Sequence, residues 1–284
     1  MLFLHVGLAL APHSYVANEM KWRTQEEAAL RKEGGWLSVA GLYWLKPGVT
    51  SIGSGPSNGF VLPDRSLPEQ IGTATLQGGK VVVRFAEGVD ATVNGQRLQA
   101  AELISDAEGR ADRVKVGRFV LTVIQRGKRI GFRMLDPEAE RRRTFKGLRW
   151  FPIDPKYRIE ARFVPYAKPK PMWIANVLGD VREAKCPGYA EFRIGGKTVR
   201  LQAEDAGDGL FFNFRDRTCA TVSYPAGRFL DAPKPKNGTV LLDFNRATNP
   251  PCAFTAYATC PLPPRDNDLP VAIRAGALNG HAEG

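Results

Sequence analysis

Between Asn18 and Arg31 the chain sets Trp22, Ala28, Ala29 and Leu30 among Glu, Lys, Gln and Arg, with no Pro or Gly before Gly34-Gly35. That pattern predicts one amphipathic helix with a glycine stop. From Trp36 onward the spacing shortens to β-like runs, among them Lys80–Phe85 and Phe119–Gln125, parted by Pro47-Gly48, Gly53, Gly78-Gly79 and Asn94-Gly95. Asn-Gly between two such runs signals a hairpin, because both residues accept positive φ. After a polar connector around Asp136 to Arg143, alternation resumes through Ile159, Ala161 and Phe163 within Tyr157–Pro165. Further strands are predicted at Ile174–Val181, Ala190–Ile194, Thr198–Ala203, Leu210–Phe214, Thr221–Tyr224 and Thr239–Phe244, each bounded by Gly, Pro or Asn. The expected fold is mainly β: an N-terminal segment and helix over 1–35, a β-sandwich over 36–135, and a second β-sandwich or β-barrel over 145–278.

Composition narrows the chemistry. Of 284 residues only three are histidine, and His5, His13 and His281 all lie near the ends. Histidine-based nucleophile systems and His-built metal centres are therefore excluded from the body of the chain. The formal charge is +11, yet apart from Arg141-Arg142-Arg143 the basic residues are dispersed and no nucleic-acid reader motif accompanies them. Specific nucleic-acid binding is not expected, and a small anionic ligand suits the charge at least as well. Cys186, Cys219, Cys252 and Cys260 form no C-x-x-C pair, so neither a metal site nor a cofactor is expected. Cys252 and Cys260 read as inert buried thiols or an incidental pair, with a mutual bond or a reactive thiolate as the alternatives. No apolar run is long enough to span a membrane. A cytoplasmic location is the default, with export as the alternative suggested by the apolar first eleven residues.

Polar side chains concentrate at two strand ends in the second half. One segment runs from Phe214 to Leu230 and carries Asp216, Thr218, Cys219, Tyr224 and Arg228; the other starts at Leu241 and carries Asp243, Asn245, Arg246 and Asn249 before Pro250-Pro251. Asp216 and Asp243 are candidate catalytic acids or bases, and Arg228 and Arg246 have the donor forks to grip a carboxylate or phosphate. Tyr224, Asn245 and Asn249 complete the candidate ligand-binding set. Strand alternation sends Asp243 and Asn245 to one face, toward an expected cleft shared with Asp216 and Arg228, with Arg246 at its rim if the strand ends there. Alternatively these charges pair off inside a packed core, and Tyr224, Asn245, Asn249 and Asn267 cap turns.

Two resemblances follow from particular strings. Ile52-Gly53-Ser54-Gly55-Pro56-Ser57-Asn58-Gly59-Phe60-Val61-Leu62-Pro63 and Thr92-Val93-Asn94-Gly95-Gln96-Arg97-Leu98 resemble the opening glycine strand and the Asn-Gly hairpin of forkhead-associated (FHA) domains. That resemblance implies a β-sandwich. The family's arginine after its first glycine is Ser54 here, and its Ser-x-x-His becomes Ser66-Leu67-Pro68-Glu69, so a scaffold that does not read phosphothreonine is expected. The strings from Phe214 to Leu230, from Asp243 to Phe254, Cys260-Pro261-Leu262-Pro263-Pro264, and Ile273-Arg274-Ala275-Gly276 closely resemble the prokaryotic domain-of-unknown-function family 1684. Against that pattern, Cys219-Ala220 replaces Ser-Gly, Thr248 replaces Tyr and Ala277 replaces Glu. The resemblance carries no reaction with it. Two functions remain open: a binder or enzyme for a small anionic molecule in a cleft of the second β domain, or a non-catalytic two-domain interaction protein.

Overall fold

The structure is a computed structural model that describes residues 12–281, and side chains from 14 to 280. The apolar first eleven residues, on which the export alternative rests, lie outside the described residues. The described chain divides into two compact units, one built from residues 31–144 and 254–258, the other from residues 12–30 together with 145–253 and 259–281.

The first unit contains β1 (Val39–Trp44), β2 (Gly48–Gly53), β3 (Phe60–Val61), β4 (Gly72–Gln77), β5 (Lys80–Phe85), β6 (Ala91–Val93), β7 (Ala100–Leu103), β8 (Arg113–Val116), β9 (Phe119–Arg126) and β10 (Arg129–Leu135). They form two five-stranded sheets, ordered β1-β10-β9-β8-β6 and β3-β2-β4-β5-β7. Ile52, Phe60, Val81 and Val83 from one sheet share a core with Val114, Leu121, Phe132 and Met134 from the other. This is the expected sandwich, with alternate residues of each strand turned inward. After β6, Asn94 and Gly95 take φ of 51° and 85° in a tight turn that brings Val93 against Gln96.

The second unit begins with helix α1 (Pro12–Arg31), whose first residue is a proline, suited to the helix start because the N–H it lacks would have no helical partner there. Its strands are β11 (Leu148–Trp150), β12 (Arg158–Ala175), β13 (Val181–Ile194), β14 (Lys197–Gln202), β15 (Glu204–Asp205), β16 (Gly209–Phe214), β17 (Arg228–Pro233), β18 (Thr239–Asp243) and β19 (Ala277–His281). A sheet β14-β13-β12-β18, a sheet β15-β16-β17 and a pair β11-β19 result. Ala161, Phe192, Leu201 and Leu242 of the first sheet share a core with Leu210, Phe212, Phe214 and Leu230 of the second. Among the described residues no sheet closes into a barrel, which leaves the sandwich alternative.

Two strand predictions fail here for physical reasons. Ile174–Val181 is not one strand: Ile174 and Ala175 end β12, Val181 begins β13, and 176–180 turn between them, because Asn176 Oδ1 accepts from Leu178 N and Asp180 N at 2.8 and 3.0 Å while Gly179 takes φ of 84°. Thr221–Tyr224 is likewise a turn. Val222 N and Ser223 N both donate to Thr218 O at 3.0 Å, and Ala220 has φ of 69°.

Candidate functional site

The expected single cleft separates into two polar clusters, with no hydrogen bond or ion pair joining them among the described residues. In the first, Arg228 at the start of β17 is wholly buried (0% exposed) and forms an ion pair with Asp216 just after β16. Its Nη groups also donate to Ile273 O at 2.9 Å and to Ala275 O while its Nε has no acceptor, and the guanidinium lies 5.1 Å from the Phe214 ring. Asp216 Oδ1 accepts from Thr218 N and Thr218 Oγ1, both at 2.6 Å, and Thr218 Oγ1 continues to Ser223 Oγ at 2.7 Å. Gly276, next to Ala275, has φ of 81°, and a Cβ there would stand 2.4 Å from Ala247 O, so only glycine fits this approach. Asp216 and Arg228 therefore pair within the packed interior instead of facing Asp243, because each satisfies the other's charge where water cannot.

The second cluster lies where α1 meets the end of β18. Tyr15, Glu19 and Arg23 follow at four-residue spacing, so they stack along one face of the helix. The Tyr15 hydroxyl donates to Asp243, lying 2.9 and 2.8 Å from its two oxygens, and accepts from Asn245 Nδ2 at 3.0 Å. β18 ends at Asp243, whose carboxylate accepts from Asn245 N at 3.1 Å and caps a short 3₁₀ turn over Phe244–Arg246. That turn is the strand ending which lets Arg246 join the same cluster. Asn245 also exchanges two hydrogen bonds with the Asp154 backbone, accepting at 3.0 Å and donating at 2.9 Å. Arg246 makes a two-pronged pair with Glu19 at 2.8 and 2.7 Å. Glu19 itself is only 1% exposed.

Arg23 is the member without a full set of partners. It is 7% exposed, its Cζ lies 4.7 Å from the Trp150 ring, and its Nε and Nη2 have no hydrogen-bond acceptor. Burial lowers the pKa of Arg23, opposed by the carboxylates of Glu19, Asp243 and Glu27 and by the Tyr15 hydroxyl. Trp150 Nε1 donates to Glu27 at 2.9 Å, holding that ring against the helix. Burial raises the carboxyl of Asp243, and Glu19 adds to the rise, while hydrogen bonds from Tyr15 and Asn245 oppose it.

A carboxyl raised in the folded chain keeps its proton to higher pH than in the unfolded chain. Its contribution to stability is therefore greatest below the ordinary carboxylate range and falls as pH climbs toward the raised value. Asp243→Asn should match or exceed the native stability at neutral pH and flatten that fall. Urea denaturation from pH 3 to 8 measures this, and a large loss of stability at pH 7 would contradict it.

The remaining sequence candidates sit elsewhere. Tyr224 is half-buried, its hydroxyl raised by burial and by the nearby Cys252 and Cys260. Asn249 is buried and donates to Leu278 O at 2.8 Å, its Oδ1 left without a partner. Asn267 ties Gln202 to Asn213, donating to both carbonyls at 3.0 Å. Ala277, which stands where the resemblance puts a glutamate, is wholly buried. Among the described residues no group of three or more His, Cys, Asp or Glu side chains is placed to hold a metal ion, and no helix is long and apolar enough to cross a membrane.

In the N-terminal sandwich, the Ser54 hydroxyl donates to Leu67 O at 2.7 Å, and Asn58 Nδ2 donates to Glu69 O at 2.7 Å. The loops that would present a phosphate clamp are thus bonded to each other. A separate concavity of about 720 Å³ in this unit is lined by Asn94, Arg110, Arg113, Lys115 and Arg118.

Fold and site define a mainly β protein of two sandwich units, the second carrying a helix-covered polar cluster. The chain belongs to the family described as proteins of unknown function, DUF1684, whose sequence profile matches residues 143–277. It is 32% identical to an uncharacterized protein from gene locus rrnAC0354 of Haloarcula marismortui, solved by solution NMR; the match covers 49% of this chain and 80% of that one, with a TM-score of 0.42. It is also similar to the FhaA FHA domain complexed with the intracellular domain of Rv3910, at 17% identity over 33% of this chain and 96% of that one, with a TM-score of 0.24. The FHA-2 domain of the Mycobacterium tuberculosis ABC transporter Rv1747 matches at 26% identity over 31% of this chain and 77% of that one, with a TM-score of 0.25. No curated protein matches the chain.

Proposed function

We propose that the C-terminal unit binds a small anionic molecule at the Tyr15–Arg23–Asp243–Arg246 cluster. The observation that carries this reading is Arg23, a buried guanidinium with two nitrogens, Nε and Nη2, lacking acceptors. Such a group costs several kcal/mol to bury in that state, and a carboxylate or phosphate oxygen supplies the missing acceptor. The Trp150 ring fixes the guanidinium plane, and Tyr15 and Asn245 hold Asp243 at a fixed position beside it, where a carboxyl of raised pKa can exchange a proton with a bound acid. Cytoplasmic location belongs to the same proposal, supported by sparse cysteines without a disulfide-scaffold spacing.

Inorganic phosphate and acetate serve as probes. In their absence Arg23→Met should raise stability by about 1–3 kcal/mol, because a buried donor set without acceptors is replaced by an apolar chain of similar length. Millimolar phosphate or acetate should raise the native melting temperature and leave that of Arg23→Met unchanged. Loss of stability in Arg23→Met, or a native melting temperature indifferent to both probes, would overturn the reading.

A second reading, an interaction protein acting through its N-terminal sandwich, is favoured by the basic concavity at Arg110, Arg113 and Lys115. On either reading phosphothreonine is not its ligand. The bonded Ser54 and the acid at Glu69 leave no cationic clamp, so a degenerate phosphothreonine library should bind no better than its dephosphorylated counterpart. Micromolar binding lost on dephosphorylation would contradict this.

A further inference from the structure

The anion-binding cluster makes no use of Cys252 and Cys260, whose arrangement differs from that of the other two thiols. Cys252 lies in a short 3₁₀ turn over Pro251–Ala253, and its backbone N–H donates to Cys260 Sγ at 3.1 Å. Both residues are reduced thiols, Cys252 half-buried and Cys260 4% exposed. Pro250-Pro251 before the first and Pro261 after the second restrict the backbone around them. Cys260 O accepts from Val177 N at 3.0 Å, anchoring this side to the β12–β13 turn. The Cys260 sulfur is thus held against Cys252, whose side chain is the more exposed of the two.

We propose that Cys252 and Cys260 form a peroxide-reactive dithiol site, in which Cys252 is the attacking thiolate and Cys260 the resolving thiol. In the first step the Cys252 sulfur attacks one oxygen of a hydroperoxide, an S–O bond forms as the O–O bond breaks, and the departing oxygen leaves as water or alcohol after taking a proton. In the second, Cys260 sulfur attacks the sulfenic sulfur of Cys252, an S–S bond forms as the S–O bond breaks, and the hydroxyl leaves as water with the Cys260 proton. The two thiols together give up two electrons, and the peroxide accepts them.

The electrostatics suit this division of roles. Hydrogen bonds from the Cys260 side chain and from backbone N–H groups outweigh burial and bring Cys252 down to about 7. Cys260 is the titratable group that acts on it, and the two thiols in turn add to burial in raising Tyr224. At pH 7 such a thiol carries roughly fifteenfold more thiolate than an ordinary cysteine. By contrast, burial raises Cys186, and Cys219 is buried against Ser223.

Reduced, desalted full-length protein treated with one equivalent of hydrogen peroxide tests the site by intact mass and peptide mapping. The expected product is the Cys252–Cys260 disulfide with the loss of two hydrogens, and iodoacetamide should label native Cys252 along a pH profile with its midpoint near neutrality. Cys260→Ser should instead accumulate sulfenic acid at Cys252, trapped by dimedone, and Cys252→Ser should form neither product. Failure of the native protein to form the bond, prior oxidation of Cys186 or Cys219, or an ordinary alkylation midpoint for Cys252 would overturn the proposal. The native protein alone decides these outcomes even if a variant fails to fold, and Arg23→Met should oxidise like the native chain, which keeps this test separate from the anion reading.

Discussion

Arg228→Ala is expected to destabilise the protein by about 3–5 kcal/mol, because it strips a wholly buried carboxylate of its counter-charge. Asp216 would keep its bonds from Thr218 but lose the guanidinium, and the carbonyls of Ile273 and Ala275 would lose their donor. Against a typical total stability of roughly 5–15 kcal/mol, such a loss is a large share. Removing both charges together, as Asp216→Asn with Arg228→Ala, should cost less than the sum of the two single changes, since neither partner is then left buried alone. Urea denaturation of the four proteins measures the cycle. A single-variant loss under about 1 kcal/mol would show that the pair contributes little to the fold.

Arg246→Ala should cost about 2–4 kcal/mol, whereas Glu19→Gln should cost under about 1 kcal/mol. The asymmetry follows from exposure: the Arg246 side chain is 41% exposed and Glu19 is 1% exposed. An arginine deprived of its partner can turn to water, but a carboxylate deprived of its partner remains inside. Equal losses in the two variants, read by the same denaturation, would show that Glu19 reaches solvent when released.

Where a strand follows simple alternation and ends at a strong turn residue, the sequence reading and the structure coincide. Lys80–Phe85 is β5, Phe119–Gln125 lies within β9, and Asn94-Gly95 turns the chain after β6. Prolines hid the length of β12, which continues through Pro165, Pro169 and Pro171 with a break in register between Pro165 and Lys170. Local propensity counts such residues as strand breakers, but an irregular stretch of ladder accommodates them. The candidate site was legible on one side only. Asp243, Asn245 and Arg246 stand out beside a proline-rich break, while Tyr15, Glu19 and Arg23 look like the solvated face of an amphipathic helix. Periodicity identifies buried faces by their apolar residues, so a polar buried stripe is invisible to it unless the spacing of Tyr, Glu and Arg at every fourth position is itself taken as a signal.

The helix that carries this stripe is made well before the strand end it meets. Tyr15 meets Asp243 at a sequence separation of 228, so during synthesis α1 leaves the ribosome long before β18 exists. Strands β1–β10 can pair in the meantime, whereas the C-terminal unit cannot close until β18 has been made. An apolar stripe waiting that long in water would invite association with other chains. Tyr15, Glu19 and Arg23 wait hydrated instead, and the charges that later complete the cluster keep the unfinished helix soluble.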